Sequence, residues 1–595
     1  RPISELLRRH LALSEGVDRE DLRKRVAERL HALGLVGEDR AVLVSHFLGV
    51  SAPPEFLNRV SGAQLKERTL GVLRDLFLRT SASALVLLVV ENVHWLDASS
   101  EEFLAHLAGG LPGHRVLLIL STRPGYAAPW LDPALAETIR VEGLHAGDIR
   151  GMVRTLLVAD DVSEELFKIL VEKSEGNPLY VEEILRQLQE TAGLVVEAGV
   201  ARLRSTDVTV PATIHDIIAA RVDRLAQQLK QTLQGAAVIG RRFGVSLVSR
   251  VLDVLGDQVA GHLRDLHGLD FVFPSAQDPE LMYSFKHALT QDVVYASLLE
   301  RRRRQYHAVA GHGLEELYAG RIDEVVELLA YHFGRSEEAE NAVDYALLAA
   351  EKAQRRWANT EALAYFDDAL KRLSALPDTE ANRLRRIDAV VKQAEVKFAL
   401  GRQAEHIQAL EGIREVVEGV SDVRRRAAWY YWTGFLHSLT GAPPQVAIGY
   451  CRQAAVIADG AGLDDIKAFT ECCLAQVCAM AGELEDAVAA GEHAVEYFEA
   501  RGNVWWACRT LWALISATTV MGEWGRSLEY CRRALEHGQT VNDLRLKVAG
   551  WWRTGSTHVQ RGDADAGLRC CEEALALSPI PFDRRSRSTP PISRR

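Results

Sequence analysis

The sequence predicts a multidomain chain: an α/β segment first, a helical and hairpin middle, and an all-α repeat solenoid last. Three observations carry this. Ala84–Asp97 (ALVLLVVENVHWLD) and Arg115–Arg123 (RVLLILSTR) hold short apolar runs without helical period, which read as fully buried parallel strands. The runs LDFVFPS and LMYSFKH, at 269–275 and 281–287, alternate and lie close together, as in a hairpin. Beyond about Ala339, Gly401, Gly441, Gly482, Gly522 and Gly562 fall 40, 41, 40 and 40 residues apart. A period of that size marks a solenoid of paired helices.

Taken in order, residues 1–80 place Leu, Val and Ile at helical spacing in ISELLRRHLAL and LRKRVAERLHALGL. The first apolar strand then ends on Glu91 and Asn92. A carboxylate at the C-terminal edge of a parallel strand sits where open α/β sheets bind ligands, and there it holds Mg²⁺ as in a Walker B strand. The second strand, Val116–Leu120, ends at the same edge in Arg123, whose planar, always-charged fork can reach a γ-phosphate. Thr138–Leu144 (TIRVEGL) reads as a further strand. Helices follow from about Ala146 to Gln189, interrupted at Gly176-Asn177-Pro178. Pro fixes φ and lacks an N–H, so this is a rigid helix-start turn.

From Val210 the pattern is helical again, with Val245–Leu255 and Val259–Leu266 before the hairpin and its loop Ala276–Pro279. Helices followed by a hairpin read as a winged-helix domain. The helix before the hairpin is not basic, which argues against DNA binding by this module. Arg301–Arg304 opens an amphipathic helix and reads as a solvated face. In the repeats, the glycines mark turns between paired helices. Ala454, Ala494, Ala534 and Ala574, each 40 apart, mark close helix packing. The pair Ala342–Leu373 follows the same plan with Ala369 in the small position. Trp429, Trp432, Trp505, Trp506, Trp512, Trp551 and Trp552 read mostly as core, with a few lining a peptide groove. The array is tetratricopeptide-like, with repeats longer than the usual form. After Pro579 no apolar period survives, and the end reads as a disordered tail.

At 595 residues, with 48% hydrophobic and 25% charged residues, the composition is that of a soluble globular protein. A net charge of −11 argues against a general nucleic-acid binder. No stretch has the length of apolar sequence that a membrane span needs. All eight Cys lie between Cys451 and Cys571 without CxxC spacing, which reads as buried free thiols of a cytoplasmic protein.

Four motifs in order, ENVHWLD, STRPGYAAPWLD, SEGNPLYVEEIL and YSFKHALTQDVVYASLLERRRRQYH, resemble STAND-type P-loop ATPases found behind class III adenylate/guanylate cyclase domains in bacterial signalling proteins. The resemblance implies residues 1–145 as an ATPase core without its Walker A loop and 146–207 as a helical lid. It implies 208–300 as a winged-helix lid and 301–378 as linker helices with the first repeat pair. Repeats fill 379–580, and 581–595 is the tail. It implies ATP and Mg²⁺ as cofactors of the full-length protein, with Glu91 holding the metal. Arg123, Gly176, Pro178 and His287 would be nucleotide-binding, His287 as a phosphate sensor.

Two departures stand out. The phosphate loop GxxxxGK[ST] is nowhere in the chain, so the sequence reads as N-terminally truncated, with the loop and any cyclase domain upstream. The family places two consecutive acids at the catalytic position, but Glu91 is followed by Asn92, an amide that can orient water yet not accept its proton. The function expected is an ATP-binding signal-transduction switch. It would gate an upstream cyclase in cis and take a protein or peptide ligand on its repeats, with this fragment itself inactive as an ATPase. Two other readings are a non-catalytic peptide-binding scaffold and a fragment of a LuxR-type transcriptional regulator.

Overall fold

The computed structural model describes residues 2–13, 19–58, 60, 62–126, 128–204, 211, 213–276, 281–541 and 543–577. The tail expected at 581–595, and all but the first residue of the loop 276–279, lie outside them. The described chain is mostly helical, and its eight short strands form three small sheets. It divides into two compact units: Arg1–Ala128 with Ala346–Arg595, and Pro129–Tyr345.

In the first unit, helices Pro2–His10, Arg19–Ala32, Glu38–Phe47 and Gly62–Ser83 precede the sheet, as their apolar spacing predicts. Strands β1 (Val86–Val90) and β2 (Val116–Leu120) pair in parallel, Val86 opposite Val116 and Val90 opposite Leu120. Helix Gly62–Ser83 packs on both strands. Period-2 alternation turns Val86 and Leu88 into the core, at 7% and 4% exposure. The opposite face is bare, with Leu87 56%, Val89 54%, Leu117 52% and Ile119 45% exposed. The strands are therefore buried on one face only, which corrects the expectation of full burial. Two strands and one covering helix layer shield one side, and no described element covers the other.

The repeats follow their period. Helix pairs Val423–Leu439/Pro444–Gly460, Asp464–Ala481/Leu484–Ala500, Val504–Val520/Trp524–Thr540 and Leu544–Arg561/Ala564–Ala576 stack in order. The five spaced glycines all turn at positive φ, from +69° to +95°. An L side chain rarely adopts that conformation, so the turn itself demands Gly there. Ala454, Ala494, Ala534 and Ala574 are all buried, where neighbouring helices meet. The first helices of successive pairs touch one another more closely than the second helices do, which makes them the inner layer of the array. Trp429 is wholly buried and donates its indole N–H to Leu410 O at 2.8 Å. Trp432, Trp505, Trp506 and Trp512 are partly buried and pack against the repeat cores, Trp551 is partly buried, and Trp552 is exposed.

The second unit holds two sheets. β3 (Asp161–Val162), β4 (Leu194–Glu197) and β5 (Val200–Leu203) lie in the order β3-β5-β4, with β4 and β5 an antiparallel hairpin. They pack with helices Ala146–Leu157, Glu164–Ser174 and Pro178–Glu190 around Val162, Leu166, Ile184 and Ala201. A region read as purely helical thus contains a hairpin. Its turn, Ala198-Gly199, has both residues at positive φ, the backbone a tight hairpin needs. β6 (Arg242–Gly244), β7 (Val272–Ala276) and β8 (Met282–Phe285) form the antiparallel order β6-β8-β7. Helices Ile214–Asp223, Gln227–Ile239, Val245–Leu252 and Gly256–Gly268 close a core around Phe243, Leu263 and Phe285. The expected hairpin is present.

The strand expected at Thr138–Leu144 is not formed. Ile139 and Val141 stand 80% and 91% exposed. A strand exists only by pairing, and the described sheet ends at β2. Arg301–Arg304 opens helix Glu300–Leu317, with Arg301, Arg302 and Arg304 exposed as expected.

Candidate functional site

At the C-terminal edge of β1, Ser121 N donates to Val90 O at 3.0 Å, and Val93 N donates to Ser121 O at 3.0 Å. Asn92 N donates to Ser121 Oγ at 3.0 Å. The two strand ends are thereby sewn together, and Asn92 bends the chain through φ +57° into a single turn, Val93–Trp95. Asp97 caps the helix Ala98–Ala108, accepting from Ser100 N at 2.7 Å, so its carboxylate is committed to backbone. Glu91 is exposed and has no partner among the described residues. Arg123 sits at the same edge, as predicted, with its guanidinium 5.1 Å from the Trp95 ring centroid. Its backbone N–H donates to His94 Nδ1 at 3.4 Å. Glu91, Asn92 and Arg123 therefore share one edge.

Gly176, Pro178 and His287 belong to the other unit. Asn177 caps helix Pro178–Glu190 by accepting from Leu179 N at 3.0 Å, with Pro178 in the first helical position. Gly176 has φ +81°, and a Cβ there would lie 2.8 Å from Leu144 O. Leu144 N donates to Gly176 O at 2.8 Å. The turn is thus braced by backbone, and only glycine fits it.

His287 precedes helix Ala288–Ala296 with Nε2 buried and unpartnered. Burial lowers its pKa, with Glu182 opposing and Lys286 assisting. Glu182 and Glu183 lie on the helix that Pro178 starts, so that helix supplies the carboxylates that act on His287. That helix is clasped by charge. Glu183, itself buried, pairs with buried Arg221 at 2.6 Å, and Glu182 pairs with Lys286 at 3.2 Å.

ATP·Mg²⁺ needs a cradle of free amides, a lysine and a metal-holding hydroxyl. Here the amides of Asn92 and Val93 are spent on Ser121. No group of three or more His, Cys, Asp or Glu side chains able to hold a metal gathers among the described residues. A lone carboxylate, a stacked guanidinium and a helix start do not make a triphosphate site, so the residues present do not fit the nucleotide by themselves.

Sequence reasoning missed a second site. In the first unit, a cavity of about 780 Å³ lies between the repeats and residues 57–58 and 98–102. Asn58 anchors that segment: its Nδ2 donates to Arg501 O at 3.0 Å, and its O accepts from Val504 N at 3.3 Å. Ser99 N donates to Glu361 Oε1 at 3.0 Å. Trp432, Trp505 and Trp506, among the tryptophans read from sequence as mostly core with a few lining a groove, line this space with Trp357. The one available signal was their position on the first helix of each pair.

Residues 149–202, from within helix Ala146–Leu157 into β5, match the model of a domain of unknown function (DUF8739). An uncharacterized protein of Rhizobium meliloti (strain 1021) is 26% identical over 287 residues, 47% of this chain. The chain spans 27% of the length of that curated relative. Among solved structures, the chain is similar to a Signal Transduction ATPase with Numerous Domains (STAND) protein with a tetratricopeptide repeat sensor, PH0952 from Pyrococcus horikoshii. The two share 12% identity over 95% of this chain and 88% of that one, with a TM-score of 0.34. It is also similar to the apo form of RapI (10% identity, 49% and 89% covered, TM-score 0.34). Aspartyl phosphate phosphatase F from Bacillus subtilis matches at 9% identity, 63% and 96% covered, with a TM-score of 0.31. No described helix is long and apolar enough to cross a membrane.

Proposed function

We propose that this chain is the regulatory part of a signalling protein, in which the helical repeats take up a protein or peptide ligand. The observation that carries this is a ladder of exposed apolar side chains on the first helices of successive pairs. Met480, Val520 and Val559 stand 63%, 69% and 54% exposed, 40 and 39 residues apart. Exposed apolar residues scattered singly mean little, but a row at nearly equivalent repeat positions is a surface that a partner can cover. Phage-displayed peptides panned on the whole chain test it. Enriched peptides should bind at micromolar strength and lose most of it in the double variant Met480→Glu/Val520→Glu. If nothing is enriched, or the double variant binds as well, the repeats are not the receiving surface.

The finer reading, an ATP-dependent switch of the STAND type coupled to an adenylate or guanylate cyclase, rests on the ordered motifs. In it, the helical segment 146–207 and the winged-helix module 208–300 supply the lid. The strand order β6-β8-β7 with its preceding helices supports the winged-helix reading, and the Pro178 turn and His287 are the groups that would face nucleotide. Glu91 would hold Mg²⁺ and Asn92 would leave hydrolysis slow. Cyclase activity of the natural gene product, measured with and without ATP analogues, tests that coupling. Indifference to Arg123→Ala and His287→Ala together would sink it.

A further inference from the structure

The cavity in the first unit has the chemistry of a small-molecule site. Its volume, about 780 Å³, is in the range of ligand pockets. Trp357, Phe398, Trp432, Phe469, Trp505 and Trp506 form its walls. These rings are only half-buried, and Phe469 meets Trp506 edge-on with centroids 4.9 Å apart. Trp357 holds φ +58°, a left-handed conformation that a bulky residue rarely takes.

The charges in the wall decide what fits. Its cations are engaged: Lys66 pairs with Glu102 at 2.5 Å and Arg424 with Asp465. Arg545 lies 3.8 Å from Asp543 and 5.7 Å from the Trp505 ring centroid. Two carboxylates are not so balanced. Glu361 accepts from Ser99 N, and Glu395 accepts from Gln354 Nε2 at 2.7 Å. Neither has a cationic partner among the described residues. Glu395 keeps an exposed surface in the cavity wall, and partial desolvation by the protein around it raises its pKa. A carboxylate without a cationic partner beside apolar rings gains from a cation that joins it.

We propose that this cavity binds a small organic cation, an ammonium group on an apolar body, with the ammonium against Glu395 and the body among the tryptophans. An anion would meet Glu361 and Glu395 with every cation of the wall already paired. A neutral ligand would bury Glu395 further without balancing it. Aromatic faces favour the same charge, since a cation is drawn to the negative face of the ring. This site is separate from the peptide ladder and does not depend on it.

Calorimetric titration of the whole chain with benzyltrimethylammonium chloride tests the proposal, with phenylacetate as the anionic counterpart of similar size. The cation should bind at one site with a dissociation constant below about 1 mM, and phenylacetate should give no saturable heat. Glu395→Gln keeps the shape and can still accept from Gln354; it should weaken the cation about tenfold with the thermal melt unchanged. Should that variant fold poorly, Trp432→Leu serves instead, with a several-fold loss. Absence of saturable cation binding up to about 10 mM, equal binding of phenylacetate, or an unchanged affinity in a folded Glu395→Gln would overturn it.

Discussion

The repeats and the two-stranded sheet share one compact unit, yet they solve the burial problem differently. Each helix pair hides its apolar face against the next pair, so the array is complete wherever it has neighbours. A parallel sheet has no such local solution. It needs layers on both faces, and β1–β2 has one. The repeats should therefore respond to core damage as a packed interior does. The sheet should respond asymmetrically, depending on which face is touched.

The largest effect belongs to the repeats. Trp429, on helix Val423–Leu439, is wholly buried, and its indole N–H is satisfied by Leu410 O. Trp429→Ala should cost about 3–5 kcal/mol, because the lost contacts leave a cavity that the rigid helix stack cannot collapse. Urea melts followed by circular dichroism would read this. A loss under about 1 kcal/mol would mean the array is loosely packed, and the contrast with the sheet would fail.

Next comes the sheet itself, probed on its two faces. Leu88→Lys places an unpaired charge at a 4% exposed position and should cost about 3 kcal/mol or more. Leu87→Lys, one residue away on the bare face, should stay within about 0.5 kcal/mol and reduce binding of a hydrophobic dye. Equal penalties at the two positions would show that the outer face is covered in solution.

How much of this was legible in sequence follows from what each element depends on. The repeat period was visible because both the turn glycine and the packing alanine are set by contacts within and between adjacent pairs. The turn Gly176-Asn177-Pro178 was visible for the same local reason. TIRVEGL failed because strand propensity is only half of a strand, and Ile139 and Val141 find no paired neighbour. The hairpin β4–β5 was hidden inside a helical reading because its turn, Ala198-Gly199, carries no Asn-Gly or Asp-Gly signal. That a few tryptophans line a groove was legible, but not which ones or where. Whether Trp506 is core or wall depends on where Asn58 docks, some 450 residues earlier in the chain. Of the residues read as nucleotide-binding or metal-holding, Glu91 and Arg123 do follow the ends of the paired strands, but the stacking of Arg123 on Trp95 needed the structure.

A third prediction separates the repeats from the unit Pro129–Tyr345. There His307 and His332 are buried with their Nδ1 atoms 3.0 Å apart, and Tyr295 Oη lies 2.9 Å from His307 Nε2. Burial, then the neighbouring His332 and Arg335, pushes His307 down to about 3, and burial and Arg335 push His332 down to about 4. Folded pKa values below the unfolded value mean that the unfolded chain takes up protons first. Stability is therefore full above about pH 6.5 and is lost as pH falls towards 4. In the repeats one such group, His406, is lowered by burial. Segment-resolved hydrogen exchange, corrected for intrinsic rates, should show Pro129–Tyr345 loosening more than the repeats between pH 6.5 and 4.5. His307→Gln should flatten that difference. Uniform loosening would assign the acid sensitivity elsewhere.

The smallest expected effect is that of ATP on this chain, and it follows from the same incompleteness of the sheet. Triphosphate affinity comes from many amides and a lysine aimed at one point. The strand edge instead offers Glu91, which repels phosphate unless a metal intervenes, and Arg123, already stacked on Trp95. One exposed guanidinium contributes at most a few kcal/mol. Immobilising the ligand costs about 4 kcal/mol or more, which cancels it. Binding of ATP·Mg²⁺ to residues 1–595 should thus be no tighter than about millimolar. Calorimetry on the same preparation used for the cation titration gives a direct contrast between the two candidate sites. A micromolar constant that disappears in Arg123→Ala would show that β1 and β2 alone can hold a nucleotide. The sheet would then be a finished site, like the repeats, and not an unfinished one.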